Sequence, residues 1–404
     1  MKQQSDLLII GGGLNGPVLA LAAAQTGLST TVVDARDEAD LRSDTFDGRA
    51  YALALASIRM LTRLEIWDNV ADHAQEMREI KVSDSKVGRP NAVLGLHFDS
   101  AEIEEGAMGH MLEDRYLRRA LLDAMAAEPN ITLLTDQRAV AQTVAATGVT
   151  VDLKGGQTLT GRLLIGADGR GSQVAERADI RRMEWSYDQT AIVCALEHAH
   201  PHNGIAHQLF LPAGPLGILP LPGNRSSIVW AEDTALASDI IQMNDADFLN
   251  VLRPRFGDFL GEIALTGARF TYPLGLSLAN AFVADRLALI GDAAHGVHPL
   301  AGQGLNAGLR DVAALTHVLT HAQRRGEDIA APGVLARYQS WRRFDITSLA
   351  GATDMFNRLF SNDTPLLRMG RDLGMKAINA VPSLRRSFIR EAAGLTGDLP
   401  DLMR

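Results

Sequence analysis

Leu7-Leu8-Ile9-Ile10-Gly11-Gly12-Gly13-Leu14-Asn15-Gly16-Pro17-Val18 is the stretch on which the fold turns. Its first four residues form a short apolar run of the kind a buried parallel strand shows. Glycines at 11, 13 and 16 follow at once, in the spacing GxGxxG. Pro17 suits a first helical turn, where its missing N–H is harmless. Val18 to Gln25 continue as a strong helix former, and Gly27 can end the helix. A second run, Thr30-Thr31-Val32-Val33, finishes at Asp34. The first glycine permits a tight turn, the second lets backbone approach a pyrophosphate, and the third lets helix and strand pack closely. The helix N-terminus then faces the phosphate charge, and Asp34 is placed to accept hydrogen bonds from ribose hydroxyls. GxGxxG alone is weak; with strand, helix and terminal acid in this order it predicts a dinucleotide-binding βαβ unit.

That unit does not distinguish FAD from NAD. Leu163-Leu164-Ile165-Gly166-Ala167-Asp168-Gly169 is a second apolar strand, ending in Asp-Gly and followed by Arg170, Ser172 and Val174. Arg286-Leu287-Ala288-Leu289-Ile290-Gly291-Asp292-Ala293-Ala294-His295 is a third, ending in Gly-Asp. Two further strand ends of this type are redundant in a simple NAD fold. They make sense where an extended FAD is held at pyrophosphate, ribityl chain and flavin ring.

Together these three motifs resemble those of the flavoprotein aromatic hydroxylases of the p-hydroxybenzoate hydroxylase type. The resemblance implies that Asp292 binds the ribityl chain and that Asp168 lies near the pyrophosphate, in a motif also tied to NAD(P)H use. It implies too that Arg49, in Gly48-Arg49-Ala50, contacts the cofactor rather than standing as a solvated surface charge. The most specific segment is His298-Pro299-Leu300-Ala301-Gly302-Gln303-Gly304-Leu305-Asn306-Ala307-Gly308-Leu309-Arg310-Asp311. It is similar, position for position, to the signature of the ubiquinone-biosynthesis hydroxylases (UbiH/UbiF/VisC type). The resemblance implies that Gly302, Gly304 and Gly308 let a loop and helix start lie against the flavin, with Asn306 among the cofactor-binding residues. Helix-terminal N–H groups there stabilise the negative charge of a reduced flavin. A glycine-rich helix packed tightly on a sheet is the plainer reading, and it does not account for the whole string. The likeness runs nearly the full length. Gly214 to Leu221 with Ser227 to Trp230 resemble the family's substrate-domain strands, and Leu359 to Asn362, Arg371 to Gly374 and Gly397 to Pro400 resemble its tail. One departure is Asp114, in Leu112-Glu113-Asp114-Arg115-Tyr116-Leu117, where many relatives carry Asn or another polar residue. Arg118 is accordingly a weak cofactor candidate.

The resemblance implies an FAD-dependent monooxygenase that hydroxylates the aromatic ring of a polyprenylated phenol in ubiquinone biosynthesis. In such enzymes NADPH or NADH is a transient reductant bound in a shared cleft, in keeping with the lack of a second GxGxxG. O2 then gives a C4a-hydroperoxyflavin, whose distal oxygen the electron-rich ring attacks. The cofactor carries that step; the protein positions the ring and excludes water. An absent triad or carboxylate pair is therefore no objection. Pro299, Gly302 and His298 are the residues expected to frame the reacting face. For His298 and His295 a packing or hydrogen-bonding role outweighs proton transfer. Two alternatives keep the fold: a hydroxylase of a small soluble aromatic acid, and a non-catalytic flavin-binding scaffold in the biosynthetic complex.

The chain has 404 residues, 46% of them hydrophobic and 22% charged. This is ordinary for a soluble globular protein and too long for one ordinary core. The expectation is a mixed α/β (α+β) chain: a Rossmann-like FAD-binding domain (1–75, 100–178, 275–340), an interleaved β-sheet substrate domain (76–99, 179–274) and a helical C-terminal region (341–404). Helices are expected near 54–64, 116–127, 245–256 and 306–323, with strand-rich sequence over 190–272 and a hairpin turning at Gly155-Gly156. A net charge of −9 argues against nucleic acid as a main partner. The single cysteine, Cys194, sits in an apolar run and reads as a core hydrophobe, which fits a reducing cytoplasm. Asp6 and the glycines interrupt what faintly resembles a secretion signal, and no stretch reaches the roughly 18 apolar residues of a membrane span. The expected location is the cytoplasm, with peripheral attachment to the inner membrane open. His198, His200, His202 and His207 surround Pro201, Asn203 and Gly204, so a solvated turn is favoured over a metal site, and no metal is expected. Arg368, Arg371, Lys376, Arg385, Arg386 and Arg390 lie among apolar residues in the tail. They read either as a basic surface for anionic lipid or other ubiquinone-biosynthesis enzymes, or as a helical cap with solvated charges. Oligomerisation stays open.

Overall fold

The computed structural model describes residues 4–296, 303–360 and 378–404. Leu7 to Ile10 end the strand β1 (Gln4–Ile10), flanked in parallel by β2 (Thr30–Val33) on one side and β11 (Thr158–Gly166) on the other. A strand with neighbours on both edges and helices over both faces meets no water, which is why its sequence is an unbroken apolar run. β8 (Ile131–Leu134) extends the sheet beyond β2, and β18 (Leu287–Leu289) extends it beyond β11. The parallel order is therefore β18-β11-β1-β2-β8. From β1 the chain crosses through α1 (Asn15–Ala24) to β2, whereas β11 pairs on the opposite edge. The C-terminal ends of β1 and β11 thus form a topological switch point, where open α/β sheets bind ligands. β10 (Gly148–Leu153) joins β11 by a turn in which Gly156 takes φ +86°.

A second sheet of eight strands runs β19 (His295–Gly296), β16 (Ile263–Ala279), β12 (Arg182–His198), β15 (Arg225–Asp233), β14 (Gly214–Leu221), β13 (Ile205–Leu211), β5 (Glu79–Lys86) and β6 (Arg89–Asp99). Its spine is the antiparallel pair β12 and β16, followed by β15, β14 and β13. Side chains alternate across a strand, and here the two faces differ in size. Ile192, Cys194, Leu196, Ile228 and Trp230 point one way, into a core closed by α6 (Thr234–Gln242) and α7 (Asp245–Phe256) through Ile240, Phe248, Leu252 and Phe256. Each large apolar side chain buried there contributes about 1.5–3 kcal/mol. Cys194 lies in this core, and burial pushes its thiol up to about 12, so it is inert. The opposite face carries Ala191, Val193, Ala195, Ser227, Val229 and Ala231 and looks toward the first sheet.

Between them lies a small third sheet, β3 (Ala50–Ala54)-β7 (Gly109–Glu113)-β4 (Gln75–Met77). Two helices, α8 (Gln303–Arg324) and α9 (Pro332–Phe360), pack on the first sheet. The C-terminal helix Pro382–Ala392 lays Phe388 and Ile389 against Phe98 on β6 (Arg89–Asp99). Two elements depart from the periodicity reading. β12 starts at Arg182 rather than near 190, because Glu184, Ser186 and Asp188 break up the apolar run there and the register shifts between Ser186 and Gln189. α6 precedes the expected helix α7, started by Asp233, whose carboxylate accepts from the N–H of Ala235 at 2.9 Å.

Candidate cofactor and substrate cleft

Gly11 adopts φ +116°, and a Cβ there would lie 2.2 Å from the Ala167 carbonyl oxygen. The ends of β1 and β11 meet at a separation only glycine allows. On Gly16 a Cβ would lie 2.0 Å from the Gly11 carbonyl oxygen, so the first turn of α1 rests on the loop itself. Gly13 differs, since a Cβ there would meet nothing within 4 Å. Its missing side chain leaves open space. Leu14 stands at the N-cap of α1, with no side-chain capping bond and no acidic residue in the first turn. The helix therefore presents its terminal N–H groups and positive end uncapped, as an anion site requires.

Asp34 holds this loop. Its carboxylate accepts from Gly12 N–H at 2.6 Å, Arg36 N–H at 2.8 Å and Arg36 Nε at 3.0 Å. Burial alone raises its pKa, but these bonds, led by those from Arg36, outweigh it and keep the carboxyl below its ordinary value.

A cleft of about 700 Å³ opens beside the switch point. Leu14, Asn15, Arg49, Arg170, Asp292 and Gly304 line its nucleotide side. Asp292 is half-exposed and accepts from Arg170 Nε at 3.2 Å. Arg49 donates to Asp47 at 2.7 Å and lies 3.3 Å from Asp114. Burial opposes its charge, yet these carboxylates hold its pKa above the usual guanidinium value. Asn15 is the meeting point of the motifs. A Cβ on Gly291 would lie 2.2 Å from Asn15 Nδ2, and one on Gly308 would lie 2.4 Å from the same atom. The first motif, the third motif and the signature helix thus close on one side chain. Asn15 Oδ1 is buried and has no hydrogen-bond partner among the described residues.

Behind the cleft wall the third motif is fixed by a buried ionic cluster. Asp311 accepts from Gly291 N–H at 2.9 Å, His295 Nε2 at 2.6 Å and Arg342 Nε at 2.7 Å. All three side chains are almost fully buried. Burial would raise the Asp311 pKa, but His295 and Arg342 hold it below the ordinary carboxylate value. His295 therefore serves as a packed, hydrogen-bonded residue and does not line the cleft.

The other wall is the small-residue face of the second sheet. Pairing places Phe270, Val193, Val229, Gly217 and Gln208 in one row across five strands, and Tyr272, Ala191 and Ala231 in the next. Every one of these lines the cleft. Burial pushes the Tyr272 phenol up to about 12, so it stays protonated at neutral pH.

Of the residues expected from the sequence, Arg49, Asp292 and Gly304 come together on the cleft, with Gly11, Gly13, Gly16 and Asp34 forming the adjoining loop. Two expected cofactor contacts stand behind the wall instead. Asp168 accepts from Ser172 Oγ at 2.5 Å and Val174 N–H at 3.1 Å, fixing the start of α5 (Gln173–Arg177). Asn306 donates to Ala52 O at 2.7 Å and accepts from Ala54 N–H at 2.9 Å and Ser57 Oγ at 2.8 Å, tying α8 to β3. Both satisfy backbone that the cleft needs in place. His298, Pro299 and Gly302 lie outside the described residues, as do Arg368, Arg371 and Lys376. Arg385 and Arg390 are paired with Glu102 and Glu105, at 2.7 and 3.3 Å. His198 and His202 bond to Ser226 Oγ and Leu221 O within the turn region. No described helix is long and apolar enough to cross a membrane. The sequence motifs do not mark Asn15 or Arg342 as site residues. Asn15 sat in plain view inside GxGxxG, whereas nothing near Arg342 in sequence links it to Asp311.

These features fit a flavin dinucleotide: an uncapped helix N-terminus, glycines whose Cβ atoms would fill the loop, and a buried acceptor without a donor beside an apolar cavity. Comparison with known proteins agrees. The FAD binding domain family model matches residues 4–349. Ubiquinone hydroxylase UbiL of Rhodospirillum rubrum is 45% identical over 99% of this chain and 92% of its own length. The 3-demethoxyubiquinol 3-hydroxylase of Escherichia coli is 35% identical over 98% of this chain and 100% of its own. Among solved structures, p-nitrophenol 4-monooxygenase PnpA from Pseudomonas putida DLL-E4 superposes with a TM-score of 0.81, covering 98% of this chain and 99% of that one at 18% identity. That likeness is one of fold.

Proposed function

The chain belongs to the FAD-dependent hydroxylases of ubiquinone biosynthesis, and from that premise we propose how its cleft serves the hydroxylation of a polyprenylated phenol. It is a flavoprotein aromatic-ring monooxygenase. FAD, reduced by NADH or NADPH, supplies the activated oxygen from O2 that enters the ring. The protein's own residues bind, orient and shield. The N-terminus of α1 and the backbone of Gly11 to Gly13 take the pyrophosphate, with Gly16 and Asp34 fixing their shape. Asp292, held by Arg170, and Asn15 Oδ1, which has no partner among the described residues, would face the polyhydroxyl chain, whose hydroxyls offer the donor that Asn15 lacks. Arg49, held by Asp47 and Asp114, would offer guanidinium N–H groups along the cleft, and the backbone at Gly304 would approach the ring system. His298, Pro299 and Gly302 are proposed, on the family resemblance, to frame the reacting face.

The floor of Val193, Val229 and Gly217 gives a flat phenol room beside the nucleotide side, and its apolar lining excludes water. Gln208, Ser227 and protonated Tyr272 are polar groups on that floor able to orient the phenol oxygen. Leu219, Pro273, Leu274 and Phe270 offer an apolar path for the prenyl tail.

One observation carries this reading: a single cleft has the strand-end motifs on one wall and the small-residue rows on the other. The test is to reconstitute the protein with FAD and supply NAD(P)H, 18O2 and a polyprenyl phenol. Mass spectrometry should show one 18O atom in the ring product. Labelled product from a small soluble aromatic acid, with none from the prenylated phenol, would overturn the substrate assignment. Flavin that binds but supports no hydroxylation of any phenol would make the chain a scaffold.

A further inference from the structure

Near the C-terminal end of α8, away from the cleft, two histidines one helical turn apart meet a carboxylate from the end of the chain. His317 and His321 are at i and i+4, so both rings stand on one face of the helix. Their centroids are 4.3 Å apart. Asp401, on a short 3-10 turn (Asp401–Met403), brings Oδ2 to 2.9 Å from His317 Nδ1 and 3.9 Å from His321 Nε2. We infer that His317, His321 and Asp401 form a binding site for a divalent transition cation, zinc by chemistry, that clips the C-terminal turn onto α8.

Four observations support it. The ligand set is right: two imidazoles and one carboxylate suit zinc, and a His-x3-His pair on a helix is a known zinc-binding arrangement. The spacing is also close to what one ion requires. All three ligand atoms lie within 4.8 Å of one another, with Asp401 Oδ2 at 2.9 and 3.9 Å from the two ring nitrogens, while a tetrahedral ion at about 2.0–2.2 Å from each needs them roughly 3.3–3.6 Å apart. His321, partly exposed and the farther of the two rings from Asp401, is the ligand that closing on an ion would move. Next, His317 Nδ1 is buried but makes no aligned hydrogen bond, although Asp401 is near. A ring nitrogen beside a carboxylate with no proton directed between them is the arrangement a cation resolves. Last, His321 sits in the last turn of a 22-residue helix, where the helix dipole favours positive charge. Among the described residues this is the one group of three such side chains with metal-binding proximity.

The surroundings hold the ligands in place without occupying them. Trp341 packs edge-on to His317 at 5.2 Å and donates to Asp398 O at 3.2 Å, fixing the segment that carries Asp401. Arg404 approaches the other carboxylate oxygen, Oδ1, at 3.6 Å and leaves Oδ2 to the site. Three protein ligands leave a position for water.

The test uses tag-free, full-length protein freed of metal by chelator and dialysis. Co2+ should give the visible d–d bands of a low-coordinate site, and Zn2+ should displace it with one equivalent bound per chain by calorimetry. Zinc should also raise the melting midpoint and change Trp341 fluorescence. His317→Asn, His321→Asn and Asp401→Asn should each weaken zinc binding about tenfold or more and remove the thermal shift. Each variant's melting midpoint in chelator verifies that it folds. Binding no weaker in the double variant His317→Asn/His321→Asn than in the parent, or no stoichiometric binding in the parent, would overturn the site and leave a histidine–aspartate ion pair.

Discussion

The two walls of the cleft are made on different principles. On the nucleotide side, position is set by hydrogen bonds and forbidden side chains: Asp34 on Gly12, Asp311 on Gly291 and His295, Asn15 wedged between Gly291 and Gly308. On the sheet side no such network is needed, and shape comes from what the residues lack. Ala191, Val193, Gly217 and Val229 are small, and the strands that carry them are held by the large side chains of the opposite face. Changes on the nucleotide side should therefore cost stability and cofactor together, while changes on the sheet side should spare the fold and alter the substrate.

The sharpest way to break that contrast is at Asp311. Replacing it with Ala leaves Arg342 buried without its inner counter-charge, although Asp345 still contacts it at 2.7 Å. Removing one partner of a buried pair typically costs about 3–5 kcal/mol. The urea midpoint should fall accordingly, and FAD should be lost at lower denaturant than in the parent. Adding Arg342→Met should recover part of the loss, since it removes the stranded charge. An Asp311→Ala protein with parental stability would remove the claim that this cluster fixes the third motif.

A smaller effect is expected where the motifs touch. Gly308→Ala places a Cβ against the amide of Asn15, and overpacking of this kind costs about 1–3 kcal/mol. Asn15→Gly alone should weaken FAD binding by removing the unpartnered acceptor. In the double variant the steric cost should vanish, so the two changes should couple by roughly 0.5–3 kcal/mol. Additive effects would mean that Asn15 and Gly308 do not meet.

On the sheet wall, Gly217→Leu is the complementary change. A Cβ there would meet Gln208 at an unstrained 3.7 Å, so the side chain should enter the cleft rather than collide with backbone. The added volume enters open cleft rather than packed core, so stability should shift by no more than about 1 kcal/mol, the span of strand propensities, and flavin content should stay at parental stoichiometry. KM for the prenylated phenol should rise severalfold. A marked loss of FAD instead would show the walls to be less independent than described.

The same division explains what could be read from the chain. Glycines at 11, 16 and 291 and acids at 34 and 292 are legible because few residue types tolerate those positions, so the motif carries its own reason. The sheet floor was not legible. Ala191 and Val193 look like any strand, and it takes the alternation with Ile192 and Cys194, plus knowledge of which face the helices cover, to see that one side is left hollow. Asp168 and Asn306 show a third case. Their place in a motif was visible, yet whether a polar side chain turns to the ligand or to its own backbone depends on partners as distant as Ala52. Arg342 meets Asp311 only after the chain has folded, 31 positions away along the sequence.

Acid should discriminate the walls with the smallest signal. Asp34 has a depressed pKa in the folded protein, because the hydrogen bonds from Arg36 and Gly12 outweigh burial. A depressed carboxylate pKa contributes stability that is present above the unfolded value, about 3.9, and is lost as pH falls through the folded value. The nucleotide loop should thus loosen below about pH 4, with FAD released before the protein unfolds. In Asp34→Asn the acid dependence of FAD retention should flatten, because the group that took up the proton is gone. Among the described residues the sheet wall has no paired carboxylate on its cleft face, so Gly217→Leu should keep the parental acid profile. Parallel acid curves for Asp34→Asn and the parent would show that charge at the end of β2 does not hold the glycine loop.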